Sequence, residues 1–437
     1  MKKLILSLAL LASFVSASFA ENIFAHRFFE IKVDVPVEVS NNIIGITDIM
    51  QQHVVIDLEE IANNVKDKGA AIKGNVAPSV KIGIDIPRGL ILGVNVGAEA
   101  DVGVGLSDDL FEFLGKGNTG MGNEFKIQTK NTYADVFTTV AVNGGWNTKK
   151  SRIEFVATAF SALAHFDASD TYGRVYTRPA DNYFGYEANV DAKLYSNINF
   201  SQGDFSDMNA ILGTITDNLG FDLTANYKTN LFRFLSVGGQ ARIPIAPSKL
   251  SLCSAVEYKY KDGMSLDDLI SSSNSENSED VPEEQNPDDA QEESSGFDFN
   301  SMIKDPVVLE NPYSIHRPLK LGITADFHPF GTLLSTRGYA GIGVRHPFAK
   351  TLNSDAGSGE TKVYFDYSVT GRLSLWNVIS LELTHEHMDE VYKNQLALML
   401  NIRLVEVDAG VSFQSTNFTQ SFKGAGAGAF VTVCIGL

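Results

Sequence analysis

The sequence predicts an all-β protein, a closed antiparallel transmembrane β-barrel of about 14–16 strands with short loop helices. Three observations carry this. Apolar and polar residues alternate with period two many times along the 437 residues, as they do on a strand with one apolar and one polar face. Beyond the N-terminus no stretch offers the ~18 apolar residues of a membrane helix. The polar face is also too charged for a dry core, so the apolar face is the one expected to meet lipid.

Residues 1–20 read as a secretory signal, with basic Lys2 and Lys3, an apolar Leu4–Val15 and a small-residue cleavage site at Ser18-Phe19-Ala20. The remaining 21–437 form a single barrel. In Phe29–Val39, Phe29, Ile31, Val33, Val35, Val37 and Val39 share one face while Glu30, Lys32, Asp34, Pro36 and Glu38 share the other. Pro36 has no N–H for the ladder, so the spacing predicts a bulge or fraying there, near the outer end of the strand. Residues 40–78 are expected to be a helix-containing loop or plug, because Met50, Val54, Leu58, Ile61 and Val65 recur at helical spacing.

Val80–Ile86 and Leu92–Val104 then alternate about the turn Pro87-Arg88-Gly89. The second run is longer than the usual 5–6 residues of a soluble strand and suits a tilted membrane strand. Ser107–Gly115 reads as a short loop helix. Strands follow at Ala134–Val142, Arg152–His165, Tyr183–Tyr195, Leu219–Lys228, Phe232–Ile243 and Leu250–Tyr260. Residues 262–316 are expected to be a long acidic loop, largely disordered. Within it Ser271–Asn300 holds ten Asp or Glu and no Lys or Arg, too polar to offset the entropy of ordering. The C-terminal third alternates most regularly, at Leu319–His328, Lys362–Thr370, Ile379–Thr384, Leu396–Arg403 and Val431–Leu437.

Sixteen segments qualify as strands, and 14 remains open because the alternation of short and long connections stumbles between Ser196 and Leu250. From the C-terminus, Val405-Glu406 and Trp376-Asn377 read as tight turns, Pro347–Glu360 and Met388–Lys393 as longer outer loops. The candidate lumen-lining residues are Glu30, Lys32, Asp34, Glu99, Asp101, Asp191, Lys193, Arg242, Asp326, Arg372 and Arg403.

The formal charge of −18 argues against nucleic acid as a partner, since phosphate contacts need clustered Lys and Arg. Two cysteines, Cys253 and Cys434, are too few for a disulfide framework. His385-Glu386-His387 puts two imidazoles on one strand face, a spacing seen in metal sites. They stand at a strand end in phase with Leu381 and Leu383, where interfacial rings are expected. Gly424–Gly428 lacks the Lys-Ser/Thr pair of a phosphate loop and enters a strand, and no nucleophile elbow is present. No catalytic, cofactor-binding or metal residue is assigned, and neither a cofactor nor an enzymatic activity is expected.

The signal, the dyad strands and the strand at the extreme C-terminus resemble bacterial outer-membrane β-barrel proteins. The acidic, Asn-rich loops are similar to those of uncharacterised spirochaete barrels, and the size is similar to fatty-acid transporters of the FadL type. Leu437 stands where such barrels end on an aromatic residue, and no FadL-type motif follows the signal. The resemblance implies an outer-membrane location, with outer-membrane lipids and the barrel-assembly machinery as partners. The leading expectation is a pore or transporter for a small solute through a mixed-charge lumen. The alternatives are a structural or surface-interaction barrel working through its outer loops, and an outer-membrane enzyme.

Overall fold

In a computed structural model the chain is described over residues 27–43, 45, 58–66, 69–86, 88–116, 124–130, 132–168, 171–178, 183–198, 213, 216–265, 305–331, 333–353, 361–376, 378–402 and 404–437. The signal segment, the whole Ser271–Asn300 tract, Met50, Val54, Asn377 and Arg403 lie outside the described residues.

The elements run β1 (Phe29–Asn41), α1 (Leu58–Val65), β2 (Ala70–Val76), β3 (Ser79–Asp85), β4 (Leu90–Leu106), α2 (Asp109–Lys116) and β5 (Glu124–Gln128). Next come β6 (Tyr133–Asn147), β7 (Ser151–Asp167), β8 (Tyr172–Arg178), β9 (Tyr183–Ser196), β10 (Leu219–Phe232), β11 (Leu235–Ala246), β12 (Ser248–Ser265) and β13 (Val307–Ile315). The chain closes with β14 (Leu319–Phe327), β15 (Leu334–Arg345), α3 (Ala349–Leu352), β16 (Lys362–Leu375), β17 (Ile379–Met388), β18 (Val391–Asn401), β19 (Val405–Ser415), α4 (Phe418–Phe422) and β20 (Gly426–Gly436).

Every ladder is antiparallel, and β20 pairs back onto β1 from Glu30↔Gly436 to Val39↔Ala427, which closes the ring. β2 and β3 share one register against both β1 and β4, so they are a single wall strand interrupted at Ala77-Pro78. The ring is therefore β1, β2–β3, β4, β6, β7, β10, β11 and β14 to β20, a closed 14-strand antiparallel barrel. Closure leaves no open edge in the wall, as a strand structure in hydrocarbon requires.

The two candidate strands that made sixteen are β9 and β12. Ser196 pairs with Ala164 at the end of β7, and β9 then runs away from the wall, pairing with β12 on one side and β8 on the other. β5, β8, β9, β12 and β13 form an annexe sheet at the rim opposite the termini. That is why the connections stumbled: Pro247 ends the wall strand β11 and starts an annexe strand.

Four local expectations are corrected. Residues 70–76 of the expected loop are wall, and 307–315 of the expected acidic loop is annexe strand. β1 itself carries no bulge at Pro36, which pairs in register with Phe430 near the middle of the strand. The missing donor instead coincides with the gap in the neighbouring ladder, where Val35 and Pro36 face Ala77-Pro78 without pairing. Met388–Lys393 is a two-residue hairpin turn at Asp389-Glu390, both at positive φ (46° and 69°), as a type I′ turn demands.

On β18, Leu396, Leu398 and Leu400 are 44–56% exposed, whereas Lys393, Gln395, Ala397 and Met399 between them are buried. The same inversion recurs around the ring. Phe28, Trp146, Phe232, Phe234, Phe330 and Trp376 are exposed at the terminus-bearing rim, and Tyr367, His385, His387, Tyr392, Phe418 and Phe422 cluster at the other. Aromatic girdles bracketing an apolar band mark the two interfaces of a membrane barrel. Among the described residues no helix is long and apolar enough to cross a membrane.

Candidate functional site

The inward phase is built from charges because each wall strand turns its polar side chains inward. Toward the terminus-bearing rim, Lys228 (2.8 Å) and Arg337 (2.5 Å) share Asp326. Arg372 donates from Nε to Glu382 at 2.8 Å, and Lys81 pairs with Glu30 at 3.1 Å. Asp34 accepts from the Thr432 hydroxyl at 2.7 Å, and half-buried Lys32 shares that phase. Nearer the loop-side rim, Lys393 is held between Glu38 (2.7 Å) and Glu386 (2.6 Å).

Toward the loop-side rim the contacts cross the barrel. Arg345 ends β15, and Asp101 sits on β4, six steps around the fourteen-strand ring and one short of diametric. Yet the Arg345 guanidinium lies 4.0 Å from Asp101, 4.1 Å over the Tyr133 ring on β6, and in a salt bridge with Asp389 in the β17–β18 turn. Tyr133 in turn donates to Asp101 at 3.3 Å. Lys73 donates to the Asp389 carbonyl (2.8 Å) and to Glu390 (3.1 Å), which Lys362 also pairs at 2.8 Å. Opposed walls therefore meet here.

A second crossing is made by Arg317, just before β14. It donates to Asp222 on β10 at 2.6 Å and grips Glu99 on β4 with two nitrogens. Arg242 braces this turn by donating to the Pro318 carbonyl at 2.8 Å. An apolar cluster seals the same level, with Phe137, Phe160 and Ala162 of the wall packed on Tyr195, Leu250, Tyr313 and Ile315 from the root of the annexe. The mouth is filled by this annexe root. α1 packs instead on α2 and the loop-side ends of β2 and β4, through Ile61 and Val65 against Phe111, Ala70 and Leu106.

Side-chain exposure is 4% for Arg345, 5% for Lys393 and 7% for Arg317. These cations are packed against carboxylates rather than bathed in an open pore. A cavity of about 380 Å³ remains at the loop-side rim, between Lys73, Lys130, Tyr364, His387, Glu390 and Tyr392.

Of the sequence candidates, Glu30, Lys32, Asp34, Glu99, Asp101, Arg242, Asp326 and Arg372 lie on ring strands on the phase opposite the lipid-facing one. Asp191 and Lys193 do not: they sit 3.7 Å apart on β9 in the annexe. Sequence reasoning missed Arg317, Arg345 and Asp389, and missed a buried group of Asp135, His165 and His346. Their partners are too distant for any spacing rule, 218 residues for Arg317 with Glu99 and 211 for His346 with Asp135. His385 and His387 lie outside, in the aromatic girdle. Both nitrogens of His385 are engaged, by Asn394 (2.7 Å) and Tyr367 (3.2 Å), while His387 meets the Phe365 carbonyl at 2.8 Å. Cys253 and Cys434 are both free.

Asp389 gives this mouth a pH dependence. Burial pushes its carboxyl up, but Arg345 and then Lys73 outweigh that and hold it below the usual aspartate value. A depressed pKa contributes stability above the unfolded value of 3.8 and loses it as pH falls below that value. Through this group, heating at pH 2 rather than pH 5 is therefore expected to unfold the barrel more easily. The Asp389→Asn variant should show a smaller drop in the heat-induced gel-mobility transition.

Fold and surface together define the class, a transmembrane β-barrel. Among solved structures the chain is similar to the Pseudomonas putida toluene transporter TodX, at 8% identity and a TM-score of 0.42, over 97% of this chain and 94% of that one. It is also similar to a Pseudomonas aeruginosa FadL homologue, at 8% identity and a TM-score of 0.41, over 93% and 90%. A third likeness is to the CymD monoaromatic hydrocarbon channel, at 8% identity and a TM-score of 0.43, over 98% and 94%. Comparison with protein-family models finds no match, and comparison with curated proteins finds none either. At such identities neither solute nor residue role transfers from one barrel to another.

Proposed function

We propose that this chain is an outer-membrane transport barrel for small polar solutes, held shut at rest by charge contacts between opposed walls. The observation that carries the proposal is the Arg345 and Arg317 crossings. A barrel needing only mechanical closure is at least as stable with apolar side chains in its interior, because desolvating ion pairs offsets most of their attraction. Ion pairs have one property an apolar core lacks: when they part, each partner can be rehydrated in a water-filled lumen. The signal-like N-terminus, the apolar band and its aromatic girdles support the outer membrane, with the termini in the periplasm and the annexe outside.

A test is solute flux into proteoliposomes, with small sugars and amino acids as probes. Wild-type protein should pass them slowly and the Arg345→Ala variant at least ~10-fold faster, one unit of 1.4 kcal/mol in gating. If both match protein-free liposomes, the transport reading fails. The annexe favours a second reading, a surface-interaction barrel, because five strands are spent beyond the ring. In that case neither protein would pass solute.

A further inference from the structure

We propose that Asp135, His165 and His346 form a binding site for a divalent transition-metal ion, zinc foremost, at the loop-side mouth of the barrel. One ligand atom from each residue lies within 4.8 Å of the others, and all three residues are buried. His165 Nδ1 is 2.6 Å from one oxygen of Asp135, and His346 Nε2 is 2.7 Å from the other. Two imidazoles and a carboxylate are a borderline donor set that suits zinc and leaves a fourth position open.

The backbone is arranged to make this meeting. Phe137 pairs with Ala162 but Val136 pairs with Ala164, so Leu163 is an extra residue in β7. Without that bulge His165 would sit on the opposite phase and face outward; with it, His165 stands directly across from Asp135. Bulges that re-aim one side chain are concentrated at barrel rims and next to functional sites. His346 comes from the far side of the ring, at positive φ (44°) just after Arg345, a backbone state that costs a non-glycine residue stability.

The outer shell fits as well. The Tyr313 hydroxyl lies 3.2 Å from His165 Nε2, and its ring stacks on the imidazole at 4.9 Å. With the proton on Nε2 donated to Tyr313, Nδ1 is left with its lone pair toward the ion, the usual arrangement for a metal-bound histidine. Asp101 and Asp389 flank Arg345, the residue before His346, so the neighbourhood is not short of negative charge. Binding would replace the two imidazole–Asp135 hydrogen bonds with bonds to the ion and would pin the β15 tip to the β6–β7 wall. The site stands whether or not solute crosses the barrel.

The experiment uses the full-length protein in detergent, stripped with chelator and dialysed, then titrated with zinc and read by elemental analysis. One zinc per chain is expected in the wild type. Loss exceeding the roughly 10–100-fold of an outer-shell change is expected for His346→Ala, with Tyr313→Phe falling within that range. His387→Ala, on the outer girdle, should bind as the wild type does, and heat-modifiable gel mobility confirms that each variant is folded. Cobalt bound to the wild type should give the visible bands of a tetrahedral nitrogen–oxygen site, a readout independent of any variant. No stoichiometric zinc in the wild type, or equal binding by His346→Ala, overturns the proposal.

Discussion

Replacing Arg345 with alanine is expected to destabilise the barrel by about 3–5 kcal/mol, the range for breaking one side of a buried ion pair. Three partners lose by the change. Asp389 keeps its backbone N–H bond to Asp366 but loses its main counter-charge. Asp101 is left with the Tyr133 hydroxyl, and the Tyr133 ring loses the cation over its face. The remaining Asp101 and Asp389 carboxylates then repel across the mouth, so the same substitution should part the walls. Adding Asp389→Asn removes one of the two unpaired charges and should recover part of the loss. Arg345→Lys keeps the charge but not the planar fork and should fall between. Thermal gel-shift midpoints follow the stability, and single-channel steps in planar bilayers follow the opening. A wild-type midpoint in Arg345→Ala would show that the crossing contributes nothing to stability, and wild-type channel steps that it contributes nothing to closure.

The wall was legible in the sequence because every ring strand repeats one physical requirement, lipid on one side and a polar interior on the other. Alternation says that a segment has two unlike faces; it does not say what pairs with its edges. β9 and β12 alternate like the wall strands, and only their pairing shows that they leave the ring beyond Ser196 and Leu252. The Asp389-Glu390 turn was hidden for a different reason. Two-residue hairpins usually announce themselves with Gly or Asn, which tolerate positive φ. Here acidic residues adopt that backbone and are held in place by Lys73 on the Asp389 carbonyl and Asp366 on its N–H.

Of the mouth, alternation put Glu99, Asp101 and Arg242 on the inner face but gave none of the partners they meet there. Arg317, Arg345 and Asp389 are ordinary charged residues near strand ends, and what distinguishes them is the closeness of walls that lie far apart in sequence. For His165 the strand pattern points the wrong way, because one extra residue, Leu163, reverses the phase between Ala162 and Ala164. A period-two reading carried through β7 assigns this histidine to lipid.

Leu398→Arg gives the second large effect, and it tests which face of the wall meets lipid. Leu398 is 56% exposed near the middle of β18, between Leu381 on β17 and Ala409 on β19. In water an arginine at so exposed a position would change stability by no more than about 0.5 kcal/mol. On the lipid face of a barrel the cost is about 2–4 kcal/mol at the bilayer midplane, falling toward the interfaces. The depth dependence makes the test specific. Tyr392→Arg, on the same face of β18 but in the loop-side girdle, should lose its ring contacts yet escape most of the charge penalty. Urea unfolding of the barrel from lipid vesicles should therefore rank Leu398→Arg well below Tyr392→Arg. Equal costs, or none at Leu398, would mean that the apolar band faces water or protein and that the charged interior is not the inside of a membrane barrel.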